Sequence, residues 1–168
     1  MPDQAFQGLD PIRHFQLEGR VSVKTEVQRV SGGLSWQRSA GEETLLLSTP
    51  LGQGAAEISR KGDVVALVGA DGATVSATSD ELLLEQLLGI RLPLEGLVYW
   101  LSGLPRPGVP FLASQGGAGK IEALEQDGWR IEYDRFMKVG QREVPGRIFA
   151  RRGDDLEFRL VIDNWEAR

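Results

Sequence analysis

Alternation of apolar and polar residues dominates the chain. From Phe15 to Lys24 every odd position is apolar or glycine and every even position is polar. That period of two is the signature of an antiparallel strand with one face in a core. Leu34 and Trp36 alternate with Ser35 and Gln37, and Ala56 and Ile58 continue the pattern. Between them Leu45, Leu46 and Leu47 read as a short buried run before the turn Ser48-Thr49-Pro50-Leu51-Gly52-Gln53-Gly54. Val65 and Leu67 precede Asp71-Gly72, a hairpin signal, and Ala73, Val75 and Ala77 follow it. Ile121 to Leu124 lead to a second hairpin signal, Asp127-Gly128, and Trp129, Ile131 and Tyr133 share one side of the next strand. Ile148 and Ala150 repeat the pattern. Leu156, Phe158, Leu160 and Ile162 mark the clearest strand, at the end of the chain.

The middle changes period. Thr78-Ser79-Asp80-Glu81 is a capping box with Thr78 at the N-cap, and Leu83, Leu84, Leu87 and Leu88 fall at helical spacing up to Gly89. Pro93 suits the first turn of a second helix, whose apolar face is Leu94, Leu97, Val98 and Leu101. Leu104 to Gly119, rich in Pro and Gly, reads as a long surface loop, and Gln4 to Leu9 as a short helix before Pro11. Strands, two helices and strands again indicate an α+β fold. About ten strands of this length suit an incomplete antiparallel barrel, with the Leu-rich helices packed on its open side. No internal repeat or boundary divides the 168 residues, so one domain is expected.

Composition narrows the function. A formal net charge of -5 opposes general nucleic-acid binding, which requires a basic surface. The absence of cysteine removes disulfides, thiolate metal sites and a Cys nucleophile. No apolar run approaches the roughly 20 residues of a membrane-spanning helix, and the polar start Met1-Pro2-Asp3-Gln4 is not an export signal. His14 is the only histidine and has no Ser or Asp motif around it, so no catalytic constellation or metal site is legible. Ser114 to Gly119 lacks the Lys-Ser/Thr ending of a phosphate loop. What remains is a large apolar complement in alternating positions: a plain core, or a core with a hollow for an apolar ligand. Leu51 stands out because a polar residue is the ordinary choice at such a turn.

Several motifs in order sharpen this reading. They are Phe15-Gln16-Leu17-Glu18-Gly19-Arg20, Thr49-Pro50-Leu51-Gly52, and Leu88-Gly89-Ile90-Arg91-Leu92-Pro93-Leu94 running into Tyr99-Trp100-Leu101 and Gly103-Leu104-Pro105. Gly128-Trp129 with Tyr133, and Leu160 with Ile162 and Trp165, complete them. Together they resemble the LolB family of outer-membrane lipoprotein receptors of Gram-negative bacteria. The resemblance implies a half-open antiparallel barrel of about ten to eleven strands, with a helical lid over an apolar cavity. It implies a protein that is not an enzyme and uses no cofactor. Such a protein accepts acylated lipoproteins from the periplasmic carrier LolA and inserts them into the outer membrane. By this resemblance Trp36, Trp100 and Trp129 belong to the acyl-chain cavity, to which we add Leu46, Leu84, Leu88, Leu97 and Ile131. Pro50, Leu51 and Gly52 form the membrane-delivery loop. Trp165 matches as well, with capping of the last strand as its competing role.

The expected partners are LolA, acylated lipoproteins and the outer-membrane phospholipid surface, with no nucleic acid, and the expected state is a monomer. The family is anchored through an N-terminal lipidated cysteine, which this sequence lacks. The expectation is a soluble form in which Met1 takes the place of export signal and anchor, or else an unanchored homologue. A soluble periplasmic lipoprotein or lipid carrier of the same fold is the alternative reading. The apolar Pro50-Leu51-Gly52 tip favours the receptor, since a free carrier needs no exposed apolar loop.

Overall fold

The computed structural model describes residues 10–48, 55–69, 72–77, 79–88 and 94–167. Strands β1 (Phe15–Lys24), β2 (Arg29–Ser39), β3 (Glu42–Ser48), β4 (Ala55–Lys61), β5 (Val64–Val68) and β6 (Thr74–Ala77) precede two helices, α1 (Asp80–Leu88) and α2 (Leu94–Leu101). After the helices come β7 (Phe111–Gln115), β8 (Ile121–Gln126), β9 (Trp129–Asp134), β10 (Met137–Val139), β11 (Arg142–Val144), β12 (Arg147–Arg152) and β13 (Leu156–Ala167). Eleven strands form one sheet in the order β6-β5-β4-β3-β2-β1-β13-β12-β9-β8-β7, and β10 pairs only with β11. The end strands β6 and β7 do not pair with each other, so the sheet is an open, barrel-like one.

Alternation decides which face is apolar. In β1, Phe15, Leu17, Val21 and Val23 are buried, and in β9 so are Trp129, Ile131 and Tyr133, with charged or polar residues between them. These side chains join Leu83 and Leu84 of α1 and Leu94, Leu97, Val98, Trp100 and Leu101 of α2 in one core. Helix α2 is buried on nearly every side, as a helix that is hydrophobic all round should be.

At the centre, β1 lies between β2 and β13. Glu18 pairs with Asn164 but Gly19 with Ile162, which leaves Asp163 as a bulge. The bulge explains why Ile162 and Trp165, three positions apart, are both buried. It also explains the glycine. A Cβ on Gly19 would lie 2.3 Å from the backbone oxygen of Val161. The bulged Asp163 is held by Arg20 at 3.3 Å, so both residues of the Gly19-Arg20 pair serve this one irregularity. At the Asp127-Gly128 hairpin both residues have positive φ, 57° and 81°, the conformation of a type I′ turn.

Two expectations change and two details are added. Leu45 and Leu47 are buried while Leu46 between them is on the opposite face, so the leucine run is an ordinary alternating strand. The segment Leu104–Gly119 is not all loop: Phe111–Gln115 pairs with β8 as an edge strand. Helix α1 starts at Asp80, and the Ser79 hydroxyl accepts the N–H of Leu82 at 3.5 Å; the expected N-cap Thr78 lies outside the described residues. The short β10–β11 hairpin is an addition; Val139 and Val144 bring it into the core. The helix expected at Gln4–Leu9 and the turn at Thr49–Gly54 lie outside the described residues.

Gly19→Ala is expected to lower stability by about 2–4 kcal/mol, because the clash is with backbone and cannot be relieved by a rotamer change. Thermal unfolding checks this. A variant melting with the parent would remove the close-approach account.

Candidate functional site

The apolar face of the sheet and the two helices enclose a hollow. Its wall consists of Val21, Leu34, Trp36, Leu45, Leu47, Phe158 and Leu160 from the strands, and Leu84, Leu97 and Leu101 from the helices. Among the described residues no polar side chain lines it. Its free volume is about 30 Å³, roughly the share of one water molecule in the liquid. Two roomier clefts, of about 690 and 730 Å³, lie elsewhere. The first is lined by ion-paired side chains such as Arg130, Glu132, Asp134 and Arg147, and the second by Glu125, Asp127, Arg130, Arg151 and Asp154 beside Phe111 and Leu112; charge on the walls of both suits an apolar chain poorly.

Of the expected cavity residues, Trp36, Leu84 and Leu97 meet in this wall. Trp100, Trp129 and Ile131 are buried in the same core but off the wall. Leu46 stands on the other face, because the neighbours Leu45 and Leu47 take the inward positions. The side chain of Leu88, and Pro50, Leu51 and Gly52 altogether, lie outside the described residues. Leu45 and Leu47 follow from strand pairing. They sit opposite Trp36 and Leu34, and cross-strand partners share a face.

Polar anchors flank the hollow. The indole of Trp36 donates to Glu43 Oε1 at 2.8 Å, and Glu43, 3% exposed, also receives Arg38 at 3.1 Å and Arg60 at 3.0 Å. A carboxylate so buried is tolerable only with such partners. Arg38 reaches on to Glu95 in the first turn of α2. Arg13 binds the other oxygen of Glu95 at 2.6 Å and donates to Tyr99 Oη at 2.8 Å. Burial alone would raise the Glu95 pKa, but the charge and hydrogen bond of Arg38, with those of Arg13, hold it below the usual carboxylate range. Asp80 adds a cap: its carboxylate accepts the N–H of Leu94, the first residue of α2, at 3.2 Å.

The far end of α2 is held by Gln126. Its Oε1 accepts the Trp100 indole and the Arg106 N–H, both at 2.8 Å, and its amide donates to the carbonyls of Arg106 and Val109 at 2.9 and 3.0 Å. Trp100 packs against Trp129 with ring centres 6.3 Å apart. The Trp129 and Trp165 indole nitrogens and the Tyr133 hydroxyl are buried without a hydrogen-bond partner among the described residues, and burial raises the Tyr133 pKa far above its ordinary value. Among the described residues no group of three or more His, Cys, Asp or Glu is placed to hold a metal, and His14 is exposed.

The tie from α2 to the sheet should weaken in acid. A carboxylate whose pKa is lowered by folding contributes stability above its unfolded pKa and loses it as the pH falls through the folded one. Hydrogen exchange of the α2 amides is expected to quicken as the pH drops below the usual carboxylate range, after correction for intrinsic exchange. Glu95→Gln should show faster exchange at neutral pH and a flattened pH response. An unchanged response in that variant would count against the Glu95 tie.

Residues 13–165 match the family model described as outer membrane lipoprotein LolB. The outer-membrane lipoprotein LolB of Pseudomonas paraeruginosa is 36% identical over 162 residues, covering 96% of this chain and 78% of that protein. That of Nitrosococcus oceani is 36% identical over 170 residues, covering 98% and 84%. Among solved structures, a LolA superfamily protein of Nitrosomonas europaea matches with a TM-score of 0.61 at 12% identity, covering 99% of this chain and 91% of that one. A Vibrio parahaemolyticus domain described as an outer membrane lipoprotein-sorting protein matches at 0.56 and 6% identity, covering 98% and 89%. These two show a shared fold. With its matched residues spanning nearly its whole length, the chain belongs to the LolB family of outer-membrane lipoproteins.

Proposed function

We propose that this protein is an outer-membrane lipoprotein receptor that takes acylated lipoproteins from the periplasmic carrier LolA and passes them to the outer membrane. The observation that carries the reading is the wholly apolar hollow between helices and sheet, in a chain of this family. The activity is binding and transfer, not catalysis. The curated relatives are named as outer-membrane lipoproteins, and we place the site of action at the periplasmic face of that membrane. No helix among the described residues is long and apolar enough to cross a membrane.

At about 30 Å³ the hollow is too small for an acyl chain as packed. Acyl chains enter by lifting α1 and α2 from the sheet face, so the helices act as the lid. Each methylene removed from water contributes about 0.8 kcal/mol, and a chain of ordinary length offsets the loss of a few helix contacts. Trp36, Leu84 and Leu97, with Leu45 and Leu47 in place of Leu46, are the proposed acyl contacts. Trp100 and Trp129 support the end of α2. Leu51, in the segment that joins β3 to β4, is the proposed delivery residue, because an apolar side chain there gains by entering the bilayer.

A fluorescent fatty-acid probe should bind the protein and be displaced by a triacylated peptide; a protein that binds neither sinks the reading. Leu51→Glu is expected to leave melting and lipoprotein acceptance nearly unchanged and to block delivery to membranes. Normal delivery by that variant would remove Leu51 from the mechanism. Trp100→Ala should lower stability by about 3–5 kcal/mol or weaken probe binding, read by melting and titration; no change in either would contradict its supporting role.

A further inference from the structure

We propose that the β1–β2 hairpin tip is a second membrane-contacting point, with Val27 entering the bilayer surface and Lys24 and Arg29 meeting lipid phosphates. The inference builds on the receptor reading and names a further contact for its delivery step.

Val27 is 89% exposed, the most exposed large hydrophobic residue among those described. One exposed valine alone is ordinary; its mounting is not. The pairing of β2 with β3 begins at Gly33 opposite Ser48, whereas β2 itself starts at Arg29. Residues Arg29 to Gly32 therefore run past the last described pair with β3. On its other flank the hairpin stays paired with β13 as far as Lys24 opposite Glu157. It leaves the sheet at the end where β3 finishes and β4 begins.

The tip is also fixed. Thr25 Oγ1 accepts the N–H groups of Val27 at 3.3 Å and Gln28 at 3.1 Å, and the Thr25 N–H donates to the Gln28 carbonyl at 2.9 Å. A β-branched residue is a poor choice for a turn, and here the Thr25 bonds hold it outward. Lys24 and Arg29 pair in register directly below. Both are exposed and neither makes an ion pair among the described residues. The nearby carboxylates are Glu26 in the turn, Glu157 opposite Lys24 on β13, and Asp154 and Asp155 in the turn that leads into β13. An apolar tip above two such cations fits the boundary between acyl chains and phosphates.

The test uses the full chain, which has no cysteine of its own. Val27→Cys, Leu51→Cys and Val64→Cys are each labelled with an environment-sensitive fluorophore and mixed with vesicles of phosphatidylethanolamine and phosphatidylglycerol. Val64 is the control: it is 61% exposed and begins β5 at the opposite end of the sheet. The label at 27 should shift to the blue and the label at 64 should not. Val27→Asp should lower vesicle partitioning roughly tenfold, and Lys24→Ser with Arg29→Ser about fivefold per charge. No shift at 27, or an equal shift at 64, overturns the proposal. A shift at 51 without one at 27 overturns it and leaves the receptor reading standing. Loss of fatty-acid probe binding would instead strike the receptor reading itself.

Discussion

An eleven-strand sheet whose end strands never meet presents one apolar face that nothing in the sheet itself can cover. That face must be kept from water, and α1 and α2 do so by becoming part of the core. Removing such a cover would expose Trp36, Leu45, Leu47, Phe158 and Leu160 together, at about 25 cal/mol for each Å². A closed barrel would need no cover, but it would also have no side through which an acyl chain could enter. Openness of the sheet and the proposed lifting of its cover thus follow from one constraint.

The manner in which α2 is held follows from this. Its first turn is tied through Glu95 to Arg38, and its last through Trp100 to Gln126. Leu97, between those anchors, and Leu101, just past the second, make only apolar contact with the hollow. Apolar contacts are exchangeable: a methylene of lipid replaces a leucine methyl with little change in energy. The polar anchors are not, since each group left unpaired in the interior costs about 1–3 kcal/mol. In the proposed lid motion the anchors therefore set where α2 would return, and the apolar stretch sets what could displace it. Glu43 occupies the root of the first anchor: held by Trp36 and Arg60, it keeps Arg38 oriented toward the helix.

Much of this architecture is legible in the amino-acid sequence. The period-two pattern locates the faces of β1, β9 and β13, and Asp127-Gly128 marks a turn that has the expected positive φ values. Where the pattern misleads, a tertiary interaction has replaced a local one, or a local rule outweighs composition. Leu46 looks buried beside two leucines, but strand geometry alternates regardless of composition. Trp165 is out of phase with Ile162 because of a bulge that only the β1 pairing reveals. Phe111–Gln115 lies in a Pro- and Gly-rich segment and becomes a strand only because β8 offers it an edge. The Arg38–Glu95 tie joins residues 57 positions apart, and no local pattern announces it.

The tight packing of the hollow bears on transfer. When only a small fraction of molecules has the helices lifted, apparent affinity for lipid falls by that fraction. For a storage protein this would be a defect. For a receptor that must release its cargo to a bilayer, it prevents the hollow from becoming the deepest trap on the route. In the proposed exchange, the free energy that reseats α1 and α2 on the sheet assists release, since the core they would restore is the same apolar surface the lipid would vacate. Binding and release are then opposite directions of that proposed exchange, between leucines of the helices and methylenes of the cargo, over a single face of an unclosed sheet.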